Sequence, residues 1–138
     1  MNNKKYFLAG GIIVFLTIAS IILLSNSNKD DWTNEITKAQ SYQITMTDCN
    51  NREKILDNSV LNLIKDKWNI LSNNGPWTGN TAECHTKISF VYETNGIIQT
   101  KEILIIDETS LALVVGNKST YYTNAQNIIS ELNALFKA

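Results

Sequence analysis

Hydrophobic and polar positions follow three different rules along this chain. From Tyr6 to Leu24 nineteen residues run without a charge, behind Lys4 and Lys5. Beyond them Tyr42, Ile44 and Met46 alternate with polar residues, the period-two pattern of a strand with one buried face. Val60, Leu61, Ile64, Trp68 and Leu71 then recur at three- and four-residue intervals, which lines one side of a helix. Asp57 stands where an N-cap is expected, and Lys65 and Lys67 suit the negative end of the helix dipole. Arg52 to Leu56 reads equally as a short returning strand or as the first turn of a helix.

Ser72 to Asn80 is the densest run of turn residues and holds the single proline, so a long loop is predicted there. Alternation resumes at Lys87 to Glu93, with Ile88, Phe90 and Tyr92 on one side. Asn95-Gly96 follows as the dipeptide best suited to a type I′ hairpin. Ile97 to Ile106, Leu111 to Val115 and Thr120 to Tyr122 complete a series of antiparallel strands joined by turns at Asp107–Ser110 and Gly116–Lys118. Thr123 and Gln126 are spaced as a capping box, ahead of a helix carrying Ile128, Ile129, Leu132, Leu135 and Phe136 on one stripe. The order strand, helix, strands, helix predicts an α+β domain: a four- or five-stranded antiparallel sheet with two helices packed on one face.

The uncharged run decides the compartment. At about 1.5 Å per residue it just crosses a hydrocarbon core about 30 Å thick, and the lysines ahead of it favour a cytoplasmic N-terminus. The division is therefore a membrane anchor over 1–24 (apolar over 6–24), a tether over 25–40 with a short helical turn near Trp32 to Ala39, and an extracytoplasmic domain over 41–138. The expected location is the cell membrane, single-pass, with the C-terminal domain periplasmic or at the cell surface. Cleavage after Ala19 or Ser27 is the competing reading, and would release a secreted form.

Charge and motifs narrow the chemistry. Removing Lys4 and Lys5 from the twelve basic residues leaves ten against thirteen acidic ones, without a basic cluster, so nucleic acid is not an expected partner. Cys49 and Cys84, two cysteines in an exported segment, are expected to form a disulfide: Cys49 follows the first strand, Cys84 precedes the Lys87 strand, and antiparallel neighbours would bring them together. Cys84 and His85 are adjacent and would face opposite sides of a strand, which argues against a nucleophile and base; His85 is expected at the surface. Asp48, Cys49, Cys84 and His85 lack the paired spacing of a metal site. No phosphate-loop, nucleophile-elbow or dinucleotide motif occurs, and no catalytic residue, metal ligand or cofactor is assigned.

Recognition remains. Pro76, Trp77 and Thr78, at the centre of the Asn73 to Thr81 loop, are the candidate partner-binding residues, because a tryptophan on a turn-rich loop can anchor a partner as readily as it can fold back over the core. The expected function is a membrane-anchored, non-catalytic protein-interaction domain, an accessory subunit or an inhibitor or immunity-type factor, whose partner is another extracytoplasmic or membrane protein. A small-ligand or peptide sensor is the alternative, and a concave apolar pocket would favour it.

Overall fold

A computed structural model describes residues 32–138, and the predicted membrane segment lies outside them. Seven strands form a single antiparallel sheet: β1 (Ser41–Thr47), β2 (Glu53–Leu56), β3 (Ser72–Pro76), β4 (Thr86–Thr94), β5 (Ile97–Ile105), β6 (Leu111–Val115) and β7 (Lys118–Thr123). Their order across the sheet is β2-β1-β4-β5-β6-β7-β3. Among the described residues three helices accompany them: α1 (Trp32–Thr37), α2 (Ser59–Trp68) and α3 (Gln126–Lys137). The α+β class holds, with more strands than the sequence pattern predicts, and the helical turn expected near Trp32 to Ala39 is α1, a third helix beside the two assigned to the domain. None of the described helices is long and apolar enough to cross a membrane.

Register explains which residues are buried. Ile44 stands opposite Phe90, and Met46 opposite Ile88; Phe90 and Ile88 stand in turn opposite Lys101 and Ile103, and Ile103 opposite Leu113. Directly opposed residues share a face. Ile44, Met46, Ile88, Phe90, Ile103, Leu111 and Leu113 are all buried there. The helices cover that face with Ile36 from α1, Val60, Leu61 and Ile64 from α2, and Ile128, Ile129 and Leu132 from α3, every one of them buried. Side chains tie the layers together. The Trp68 and Tyr122 rings meet edge-on with centroids 5.0 Å apart, Lys54 Nζ donates to the Leu135 carbonyl at 2.8 Å, and Lys67 pairs with Glu131 at 2.8 Å between α2 and α3.

The turns follow their chemistry. Asn95 and Gly96 both take positive φ (54° and 76°), as a type I′ turn requires, and connect β4 to β5 in register. Arg52 to Leu56 resolves as the strand β2, because Lys54 and Leu56 pair with Met46 and Ile44. The N-cap of α2 is Asn58, which makes no side-chain cap bond; Asp57, one residue earlier, orders the entry instead, its carboxylate accepting the Ser59 backbone N–H at 2.8 Å and the Ser59 hydroxyl. The Thr123–Gln126 capping box does not form. Thr123 stays in β7 opposite Ser72, Asn124 turns with φ 59°, and the Ala125 N–H that precedes α3 donates to the Thr109 carbonyl instead.

The predicted long loop is corrected most. Ser72 to Pro76 pairs with β7 as the edge strand β3, with an irregularity between Asn73 and Pro76 around Gly75 at φ 86°. What remains as a loop is Trp77 to His85. It joins one edge of the sheet to β4, so it must pass β7, β6 and β5.

Candidate functional site

The strands that the crossing passes also bury residues on the face without helices. Leu104 and Ala112 are opposed residues of β5 and β6 on that face, and both are buried. A residue on an open sheet face stays buried only under a cover. The Trp77–His85 segment is the connection that crosses these strands, and its two ends meet: the Trp77 and His85 rings are 5.8 Å apart at an interplanar angle of 73°. Trp77 is also fixed through its backbone. Its N–H donates to the Ser119 carbonyl at 3.0 Å, and its own carbonyl accepts the Ser119 hydroxyl at 3.0 Å. A methyl group on Gly79 would overlap the indole, so glycine is what lets the ring approach its own loop this closely.

Cys49 and Cys84 are bonded, with Cα atoms 5.4 Å apart. The pairing of β1 with β4, Thr47 opposite Lys87, brings the turn after β1 beside the residues before β4. Both cysteines are exposed, so the bond sits on the surface where the crossing ends. Asp48 organises the turn that presents Cys49: its carboxylate accepts the Asn50 and Arg52 backbone N–H groups at 2.9 Å each and pairs with the Arg52 guanidinium at 2.5 Å. His85 departs from its expected surface position. It is half-buried, and its enclosed Nε2 has no hydrogen-bond partner among the described residues.

Of the three candidate recognition residues, Pro76 and Thr78 are exposed and Trp77 is half-buried between them. Pro76 closes β3, so the candidates straddle the point where the edge strand becomes the crossing. Among the described residues, no three His, Cys, Asp or Glu side chains come together in a group able to hold a metal ion.

A second constellation lies on the helix-covered face and was not anticipated from the sequence. Lys101 occupies a core position of β5 with only 6% of its side chain exposed. Its ammonium donates to Glu35 Oε2 on α1 and lies 5.4 Å from the centroid of the Tyr92 ring. The Tyr92 hydroxyl donates to the same carboxylate oxygen at 3.1 Å and lies 3.1 Å from the Gln99 side-chain amide. The Lys101 hydrogen bond holds the Glu35 carboxyl below its ordinary value, against partial burial. Burial pushes the Tyr92 phenol up. The one sequence signal was parity, since Lys101 is two residues from Ile103 and so belongs to the inward set.

Comparison of the chain with protein-family models, with characterised proteins and with solved structures gave no match to any of the three.

Proposed function

We propose that this chain is a membrane-anchored extracytoplasmic interaction domain without catalytic activity, and that it captures a protein partner through the Pro76–Thr78 corner. The observation that carries the reading is the way this corner is held. An indole that is part exposed sits between two exposed residues, its backbone is paired to β7, and the loop that follows is fixed at its far end by a surface disulfide. Such fixation lowers the ordering cost when a partner closes over the loop. A rigid aromatic at the rim of a sheet is the kind of side chain that dominates interface energetics. The partner sits on the same side of the membrane and is an accessory target, such as an enzyme or toxin to be inhibited or a complex to be joined.

The test is a photo-crosslinking residue at Thr78 in the membrane-borne full chain. The reading expects one discrete adduct that Trp77→Ala weakens about thirtyfold in partner concentration, the equivalent of about 2 kcal/mol. An unchanged adduct in a folded Trp77→Ala chain would remove this corner from the interface. Topology is tested separately, by a reporter active only in the cytoplasm fused after Ala138. Silence is expected, and strong activity would refute the extracytoplasmic placement.

A further inference from the structure

Strand β5 begins well beyond its neighbour β6. Lys101 to Ile105 pair with β6, whereas Ile97 to Thr100 have β4 alone beside them. At about 3.3 Å per residue, the β4–β5 hairpin therefore stands roughly 13 Å clear of β6 and β7. Its tip carries Ile97 at 63% and Ile98 at 72% exposure, with Val91 and Tyr42 also exposed behind them. From Thr94 to Thr100 the sequence TNGIIQT has no charge.

Consecutive strand residues point to opposite faces, so Ile97 and Ile98 present apolar surface on both sides of the ribbon. A flat protein surface can cover one of them. A medium that surrounds the tip, the outer layer of a bilayer, covers both. The hairpin also lies at the end of the sheet where the chain arrives from its N-terminal side: Ser41, the first residue of β1, is opposite Glu93, which is opposite Ile98, and the Gln40 N–H donates to the Glu93 carbonyl. Seven residues, 25 to 31, separate the predicted anchor from α1, a reach of at most about 25 Å.

The geometry points to the Thr94–Thr100 hairpin as a second, shallow membrane contact, which inserts Ile97 and Ile98 at the boundary of headgroups and acyl chains. The inference rests on the anchor reading above. Free backbone groups along Ile97–Thr100 limit the depth, because they need water or headgroups as partners. Attachment through apolar burial, beside the acidic Glu93, calls for no anionic lipid. Vesicles of zwitterionic lipid are therefore the appropriate surface.

The experiment uses the full chain reconstituted in phosphatidylcholine vesicles, with a polarity-sensitive fluorophore on Ile98→Cys and, for comparison, on Ile55→Cys, a site of similar exposure (71%) on β2. Nitroxide-bearing lipid should quench the label at 98 at least about twofold more than that at 55, and double substitution of Ile97 and Ile98 by serine should leave the fold intact while raising the accessibility of Tyr42 to an aqueous quencher. Equal lipid quenching at the two sites, in chain that sediments with the vesicles, overturns this contact and leaves the anchor standing. A label at 98 that is shielded from aqueous iodide yet untouched by lipid nitroxide also overturns it, since protein then covers the tip. Chain that does not associate with vesicles at all refutes the anchor and this inference with it.

Discussion

Glu35→Gln is the most informative single substitution in the domain. It keeps the shape of the side chain and removes the carboxylate that faces a lysine with 6% of its side chain exposed. Removing one partner from a fully buried ion pair costs about 3–5 kcal/mol, because the other charge is left uncompensated. Here Glu35 itself is 60% exposed, and the substituted amide can still accept a hydrogen bond, so screening and residual bonding reduce the loss to about 1–2 kcal/mol. For a domain of this size that lowers the melting temperature by about 5–10 °C. Lys101→Met removes the buried charge along with its desolvation penalty and fills the space with an unbranched apolar chain. It should cost less than about 1 kcal/mol, and the double variant should melt within about 0.5 kcal/mol of Lys101→Met alone. Thermal unfolding of the four proteins, followed by circular dichroism, closes the cycle. Equal and additive losses would mean that Glu35 and Lys101 do not act as a pair.

Acid provides a second readout of the same pair. The folded-state value of Glu35 lies below its ordinary 4.5, so near that pH the unfolded chain binds more protons than the folded one. Stability from this group is therefore complete above pH 4.5 and is lost as pH falls through the lower, folded value. The gap in melting temperature between wild type and Glu35→Gln should narrow below that point. A gap that widened on acidification would reverse the sign and refute the assignment.

Three further outcomes are expected. Replacing Cys49 and Cys84 with serine opens a loop of sequence separation 35, and by chain entropy should cost about 4 kcal/mol, read as a lower denaturant midpoint together with a steeper slope, since the unbridged unfolded chain exposes more surface. Gly96→Ala places a Cβ at φ 76°, in the hairpin turn, and should destabilise by about 1–2 kcal/mol, while Asn95→Gly at φ 54° should be nearly neutral. Gly79→Ala should leave the sheet intact but expel the Trp77 indole from its seat, seen as a red shift in tryptophan emission and as a loss of partner crosslinking comparable to Trp77→Ala.

Periodicity made the central strands and two helices readable because each has one face in the core: Ile44 and Met46, Ile88 and Phe90, Leu111 and Leu113, Val60, Leu61 and Ile64 of α2, and Ile128, Ile129 and Leu132 of α3 are all buried. Strand β3 was illegible for the opposite reason. Ser72-Asn-Asn-Gly-Pro76 carries no apolar alternation, since its attachment is backbone pairing with β7 and polar contacts such as Asn74 Nδ2 to Thr123 Oγ1 at 2.9 Å. The false capping box failed on a tertiary competitor, because Thr123 is worth more to the sheet as a partner of Ser72 than to the helix as a cap. Lys101 shows the same limit from inside: charge marks a residue as solvent-facing, and only a counter-charge 66 positions earlier makes its burial tolerable.

The candidate site was half legible for a related reason. Composition located Trp77, but its orientation depends on residues that composition treats as neutral. Gly79 leaves room for the indole, Ser119 fixes its backbone from β7, and His85 provides the far wall of its seat. His85 is in turn positioned by Cys84, whose partner lies in a turn shaped by Asp48. The chain thus ties the corner to three separated stretches, around 49, 85 and 119, so that whatever closes over Trp77 meets a surface already ordered by the sheet. A recognition loop built this way should lose affinity when any of the three ties is cut, even where the indole itself is untouched. Ser119→Ala is the mildest such cut: it removes the hydroxyl donor to the Trp77 carbonyl while sparing the backbone pairing, and should weaken capture by about fivefold, the equivalent of one hydrogen bond of about 1 kcal/mol. If capture by Ser119→Ala matches wild type while Trp77→Ala abolishes it, the indole acts alone and the preorganisation argued for this corner contributes nothing to binding.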